Sequence, residues 1–200
     1  MVLSGVLLRL TLQTSMLSCP ETMIAQLRTK PRGDEIEVVQ GDFLKTRVEG
    51  CFSVVVLGFN GIFGPADRDA QIACFRNAAC HLEPQGCFVV EAFVLRPEQL
   101  HGDWWIMPRS VQHEHIELQI CRYEVAAHIL ERTMVHLRPD GLRFVKLADR
   151  YAWPGELDLM ARAAGLMLRS RNGGWRGETF GPSTYTHVSV YQRADAHSSI

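Results

Sequence analysis

Residues 52–57, FSVVVL, are apolar at almost every position, and residues 87–93, CFVVEAF, repeat that pattern some thirty residues on. A strand buried on both faces reads as a continuous apolar run, whereas a strand with one wet face alternates. Between the two, Asp67 is placed to cap a helix whose Ile72, Phe75, Ala79 and Leu82 fall on one stripe, and Pro84, Gln85 and Gly86 turn the chain into the second strand. Strand, helix, strand in that order implies parallel pairing with a right-handed crossover, and therefore an α/β fold. With 200 residues, 46% of them hydrophobic and 22% charged, a single domain over residues 1–200 has enough apolar surface for a full core.

The flanking segments extend this plan. Residues 6–12 alternate apolar and polar, which predicts a half-exposed strand rather than a helix. Ser18 and Glu21 make a capping-box pattern with Pro20 in the first turn, predicting a helix over residues 19–30 that stops before Pro31. Arg32, Gly33 and Asp34 form a turn before a short strand at 36–39. From 94 to 151 the character changes: residues 116–123 and 129–137 alternate, and Pro139, Asp140 and Gly141 make a hairpin turn into 142–147. The expectation is an antiparallel β-meander inserted before the last helix, roofing the carboxyl ends of the parallel strands, where open α/β sheets bind ligands. Pro154 opens that helix through Leu157, Met160, Ala161 and Ala164, and Gly165 closes it. Residues 166–170 and 184–191 then pair antiparallel, and 193–200 form a polar tail.

Charge narrows the partners. Lys and Arg number 21 against 22 Asp and Glu, a formal net charge of -1 with no basic cluster, so no nucleic-acid footprint is expected and a small-molecule partner is. Six cysteines are scattered without a C-x-x-C and read as small buried hydrophobes of a cytoplasmic protein, with no metal centre expected from their spacing. The opening MVLSGVLLRLTLQ lacks a basic leader and a cleavage site, is interrupted by Arg9, and falls short of the ~20 apolar residues of a membrane span.

From about residue 18 to 192 the chain resembles small-molecule class I S-adenosylmethionine (SAM) methyltransferases of bacterial secondary metabolism. The segments that carry the resemblance are PETMIAQLRTKPRGDEIEVVQGDF, VLGFNGIFG, HLEPQGCFVVEAF, RYAWPGELDLMARAAGL and THVSVYQ. The resemblance implies a Rossmann-like sheet with Asp42 and Phe43 at the adenine end of a cofactor cleft and Gly58, Phe59 and Asn60 at its methionine end. It also implies a strand, a Gly-x-Gly turn and a helix upstream, and a ribose-binding carboxylate at the tip of the next strand. Here the only upstream glycine is Gly5, and residues 15–19 hold no carboxylate. The fold expected is thus a methyltransferase sheet lacking the usual first βα unit. Two or three lost hydrogen bonds to ionised groups, roughly 1.5–3 kcal/mol each, would weaken cofactor binding about a thousandfold or more. The vacant central position calls for residues 6–12 or a second chain to fill it, which makes a homodimer or partner chain an expectation.

Several side chains stand out as candidates. Asp42 could meet an adenine amine or cap its own turn, and Asn60 could serve the site or satisfy loop backbone. Glu91, alone in an apolar strand, is either a general acid or base with a raised pKa or the partner of an arginine such as Arg109 or Arg150. His113 and His115, at i and i+2, would share a strand face suited to proton transfer or metal, or else a merely solvated one. Trp104, Trp105, Tyr151, Trp153 and Trp175 supply aromatic surface for a pocket, although Trp153 and Trp175 suit core packing equally. The assignment drawn is Glu91, His113 and Tyr151 as catalytic groups, with Trp104, Trp105, Arg109, His115 and Trp153 on the substrate. Three functions are compatible. The first is a cofactor-independent enzyme promoting cyclisation, dehydration or addition by positioning and acid-base groups. The second is a SAM-dependent methyltransferase whose site is completed by the N-terminal segment, by a second chain or by residues upstream of the given start. The third is a non-catalytic partner of an intact methyltransferase. The first, needing no cofactor, is the leading expectation.

Overall fold

The computed structural model describes residues 5–9, 13–17, 21–65, 67–96 and 104–194, with the backbone alone up to residue 17. Seven strands form the main sheet: β1 (Gly5–Arg9), β2 (Gln13–Leu17), β3 (Glu37–Val39), β4 (Phe52–Leu57), β5 (Leu82–Phe93), β10 (Leu166–Asn172) and β11 (Thr186–Arg193). Their order is β10-β11-β5-β4-β1-β2-β3. β4 and β5 run parallel, as do β2 and β3, and β11 returns antiparallel to β5.

β4 is the middle strand, and β1 takes the place between it and β2. β1 pairs antiparallel with β4 through Val6↔Val56 and Leu8↔Val54, and antiparallel with β2 through Gly5↔Leu17 and Arg9↔Gln13. Residues 6–9 of the anticipated strand therefore do fill the gap, and residues 10–12 lie outside the described segments. Because β1 is reversed, its Gly5 stands beside Leu17 at the edge where β4 and β2 end. The usual first helix is bypassed, since β1 leads to β2 with three residues between them.

Helix α1 (Glu21–Arg28) precedes a 3-10 turn at Gly33–Glu35 that the sequence presents as a plain turn. Helix α2 (Arg68–Cys80) starts where Asp67 accepts a 2.7 Å hydrogen bond from the Ala70 amide, as its position suggests. Pro84, Gln85 and Gly86 do not form a separate turn. They are an irregularity within β5, where the register with β4 shifts between Phe52 and Val54, and a Cβ on Gly86 would stand 2.7 Å from the Phe52 carbonyl. Helix α3 (Pro154–Ala163) packs against α2 and β10. Phe52, Ile62, Phe63, Phe75, Phe88, Val90, Leu157 and Tyr191 make the centre of the core. No helix among the described residues is long and apolar enough to cross a membrane.

The second sheet is the antiparallel meander β6 (Trp104–Gln112), β7 (His115–Glu124), β8 (Ile129–Arg138) and β9 (Gly141–Arg150). Its first strand escapes a reading by alternation because Pro108 and a register shift before Ser110 interrupt it. One face looks toward the main sheet. The other exposes Trp104, Ile106, Val111, Leu142 and Phe144.

A buried polar joint ties the meander to the helices. Gln71, fully buried, donates to the carbonyls of Ile62 and Arg150, each at 2.8 Å, and accepts from the Arg150 guanidinium. Arg150 also meets Glu156 of α3 at 2.6 Å, and that carboxyl is held below its usual range by Arg150 and His128 despite its partial burial. Substituting Gln71→Ala strips partners from two buried carbonyls and a buried cation, so the unfolding free energy measured in urea should fall by about 2–4 kcal/mol.

His187 on β11 is enclosed beside Ser189 and Phe180, and burial lowers its pKa to about 4. An unfolded histidine titrates near 6.5, so the unfolded chain binds the extra proton first as pH falls. The stability tied to neutral His187 is present above about pH 6.5 and lost on descent toward pH 4, amounting to up to about 3 kcal/mol. Denaturation midpoints of the wild type should drop across that window more steeply than those of His187→Gln.

Candidate active site

β4 ends at Leu57, and the chain turns through Gly58, Phe59 and Asn60 into a 3-10 turn at Gly61–Phe63. Phe59 and Asn60 have φ of 55° and 61°, two successive non-glycine residues in the left-handed region, at about 1–2 kcal/mol apiece. Two hydrogen bonds from β5 hold them there. Glu91 Oε2 accepts from the Phe59 amide at 2.8 Å, and Asn60 Oδ1 accepts from the Phe93 amide at 2.8 Å. A Cβ on Gly58 would stand 3.3 Å from Glu91 Oε2, so the bare backbone there is part of the same fit.

Beside this loop and beneath the meander lies a cavity of about 410 Å³. Asn60, Glu91 and Phe93 form its floor, and Trp105, Arg109 and Arg132 belong to its roof. Tyr185, before β11, closes one side with Arg96 stacked 3.9 Å over its ring. Arg132 is paired with Asp149, whose carboxyl burial pushes upward against the pull of that arginine. The Trp105 indole Nε1 is buried and finds no hydrogen-bond partner among the described residues. A cavity lined by a carboxylate, guanidinium groups and aromatic rings can orient a polar organic molecule.

The sequence-derived assignments divide sharply here. Glu91, Asn60, Trp105 and Arg109 come together in the cavity. Glu91 is neither an isolated acid nor the partner of Arg150, which is engaged by Glu156 and Gln71; it braces a loop through Oε2, and its Oε1 has no hydrogen-bond partner among the described residues. Tyr151, expected among the catalytic groups, is placed behind the cavity rather than in its lining. It is fully buried, its hydroxyl oxygen accepts from the Leu95 amide at 3.1 Å, and burial drives its pKa above the usual phenol range. Its ring packs on Phe63, Phe93, Tyr123 and Trp153, which pins the meander to the core. Trp153, edge-on to Tyr151 at the start of α3, is packing rather than pocket, and Trp104 turns outward with 63% exposure.

His113 lies in the hairpin turn between β6 and β7 and shares no strand face with His115. His115 instead meets Glu117 and, from β8, His136, outside the cavity. Asp42 follows its milder reading in part: Oδ1 accepts from the Leu44 amide at 2.9 Å, while Oδ2 lies 3.9 Å from Lys45 Nζ. Phe43 is a core side chain, 7% exposed, and its carbonyl accepts from Asn77. Gln119, Cys121, Arg132 and Tyr185 line the cavity without having been anticipated. For Gln119 and Cys121 the signal was present, since alternation along β7 puts them on one face.

No protein-family model matches the chain. Among solved structures it is similar to the CcbJ methyltransferase from Streptomyces caelestis, 31% identical with a TM-score of 0.83, over 90% of this chain and 74% of that one. The SAM-bound CalS10 structure, an amino pentose methyltransferase from Micromonospora echinaspora involved in calicheamicin biosynthesis, shares the fold at 18% identity and TM-score 0.64, over 89% of this chain and 72% of that one. A curated relative, cypemycin N-terminal methyltransferase from a Streptomyces species, is 25% identical over 175 residues, 84% of this chain and 69% of the relative. With the strand order, the loop after β4 and the roofed cavity in place, the chain belongs to the class I SAM-dependent small-molecule methyltransferases of bacterial secondary metabolism.

Proposed function

We propose that the chain transfers a methyl group from SAM to a small organic acceptor of natural-product type, with residues 94–151 serving as the substrate lid of a single domain. The observation that carries this reading is the shared wall: Asn60 and Glu91, which hold the loop after β4, also line the cavity under the meander. A molecule seated against that loop has one end at the acceptor's cavity.

Part of a cofactor wall is present after β3 and β4, while the Gly-x-Gly turn and the ribose carboxylate are not found in residues 1–19. Beyond the end of β3, the Asp42 carboxylate, with Oδ2 3.9 Å from Lys45 Nζ, is the group we assign to a ligand amine or hydroxyl. At the end of β4 the side-chain-free Gly58 leaves the backbone open to close approach, and Phe59, 83% exposed, offers a flat apolar face. When bound, SAM supplies an electrophilic methyl carbon on a sulfonium. The chain's own contribution is orientation, dehydration of the cavity by the meander, and a place for a proton. Glu91, whose side chain lines the cavity, is the group we assign to take a proton from an acceptor amine. An amine acceptor is in keeping with relatives named for a peptide N-terminus and for an amino pentose. Cofactor-free cyclisation, dehydration or addition has no comparable support from these relatives, and the methyl-transfer reading replaces it.

Isothermal titration of the full chain with SAM and with S-adenosylhomocysteine should give one saturable site of sub-millimolar affinity, the missing ribose contacts keeping it weak. An absence of binding up to millimolar ligand would contradict the proposal. The bracing role of Glu91 has its own readout: in Glu91→Ala the Phe59 amide should exchange with deuterium at least tenfold faster than in the wild type, while amides of α2 keep their rates.

A further inference from the structure

His115 and Glu117 lie two residues apart on β7, and His136 is directly opposite Glu117 on β8. The three side chains converge. Glu117 Oε1 is 3.3 Å from His115 Nε2 and 3.1 Å from His136 Nδ1, and the donor atoms all fall within 4.8 Å of one another. Neither nitrogen has a hydrogen bond of proper geometry to any described residue, although both are shielded from solvent. The two imidazoles stack at 5.8 Å, only 15° from parallel. Hydrogen bonds alone do not account for the convergence, since both ring nitrogens crowd one carboxylate oxygen and neither bonds to it with proper geometry.

The spacing suits a different occupant. Tetrahedral ligands at metal bonds of about 2.0–2.1 Å stand about 3.3 Å apart, close to both nitrogen–oxygen separations here. We propose that His115, Glu117 and His136 form a binding site for a divalent transition-metal ion, zinc by the chemistry of two imidazoles and one carboxylate, with a fourth position open. Imidazole ligands disfavour magnesium and calcium, which take oxygen. Three protein ligands with one position free is the pattern of a zinc ion that accepts water or an oxygen or nitrogen group of a ligand.

The location gives the site a use. Glu117 shares a strand face with Gln119 and Cys121, which line the cavity, and lies about 7 Å beyond Gln119 along β7. The three ligands therefore share the meander face that lines the cavity, at its outer end. Arg143 on β9 stands opposite His136, so an anionic or neutral oxygen is the fitting fourth ligand. Bridging β7 and β8 also ties together the two inner strands of the meander. The site needs no cofactor and no methyl transfer, so its test is separate from that of the proposed function.

The full-length chain, stripped with a chelator, is titrated calorimetrically with zinc chloride and spectroscopically with cobalt chloride. The expected result is one zinc per chain at micromolar affinity or better, a cobalt spectrum with the intensity of a four-coordinate ion, and no saturable response to magnesium. Glu117→Gln and His136→Gln should each weaken zinc binding at least tenfold and abolish the cobalt bands while keeping the wild-type circular dichroism; His115→Gln, at the start of β7, takes the place of either one that does not fold. Absence of saturable zinc binding below millimolar concentration would overturn the proposal. So would binding that survives unchanged in the folded variants.

Discussion

The loop after β4 holds two consecutive residues in the left-handed region, and the rest of the site depends on what keeps them there. Strain of about 1–2 kcal/mol per residue is offset by two hydrogen bonds from β5, each worth roughly 0.5–1.5 kcal/mol, and by the packing around them. The geometry requires β4 and β5 to be parallel neighbours ending at the same edge. Their parallel pairing, Leu57 beside Val90, meets that requirement. The clamp thereby converts strand register into the position of a ligand-facing loop. Because Glu91 both braces the loop and lines the cavity, the floor of the pocket and the edge of the sheet cannot move independently.

The roof is held by a second device, built from burial rather than strain. Tyr151 fills the angle between meander and core, and Gln71, Arg150 and Glu156 satisfy one another beneath it. A buried guanidinium is tolerable only when so paired, which makes this joint specific as well as stable. The meander thus sits over the sheet as a fixed wall at its inner end. Its far end carries the His115, Glu117 and His136 cluster.

What could be read from residue order was what is local. The apolar runs of β4 and β5, the Asp67 cap and the alternation of β7 and β8 each declare an element within a few positions, and they define the methyltransferase sheet and its inserted meander. Alternation over residues 6–12 also pointed to the strand that fills the place beside β4, but its reversed direction is a property of pairing with Val54 and Val56 and has no local signature. The same holds for function. Glu91 was conspicuous as a charge in an apolar run, yet the amide it serves lies 32 residues away. Tyr151 was conspicuous as an aromatic near the pocket, and only the fold shows it sealed behind Phe63 and Phe93. His115 was paired by sequence with His113, two residues off, whereas the strand register pairs its neighbour Glu117 with His136.

The proposed methyl transfer requires a cofactor cleft running from Asp42 to the Gly58–Asn60 loop, beside a β1 that runs antiparallel to β4. A crystal structure of the chain grown with S-adenosylhomocysteine tests it most directly. The account predicts the ligand along the carboxyl ends of β3 and β4, its adenine toward Asp42 and its sulfur beside Asn60 at the cavity wall, with β1 antiparallel to β4. Ligand density elsewhere, an empty cleft at saturating ligand, or another segment in the place of β1 would contradict it.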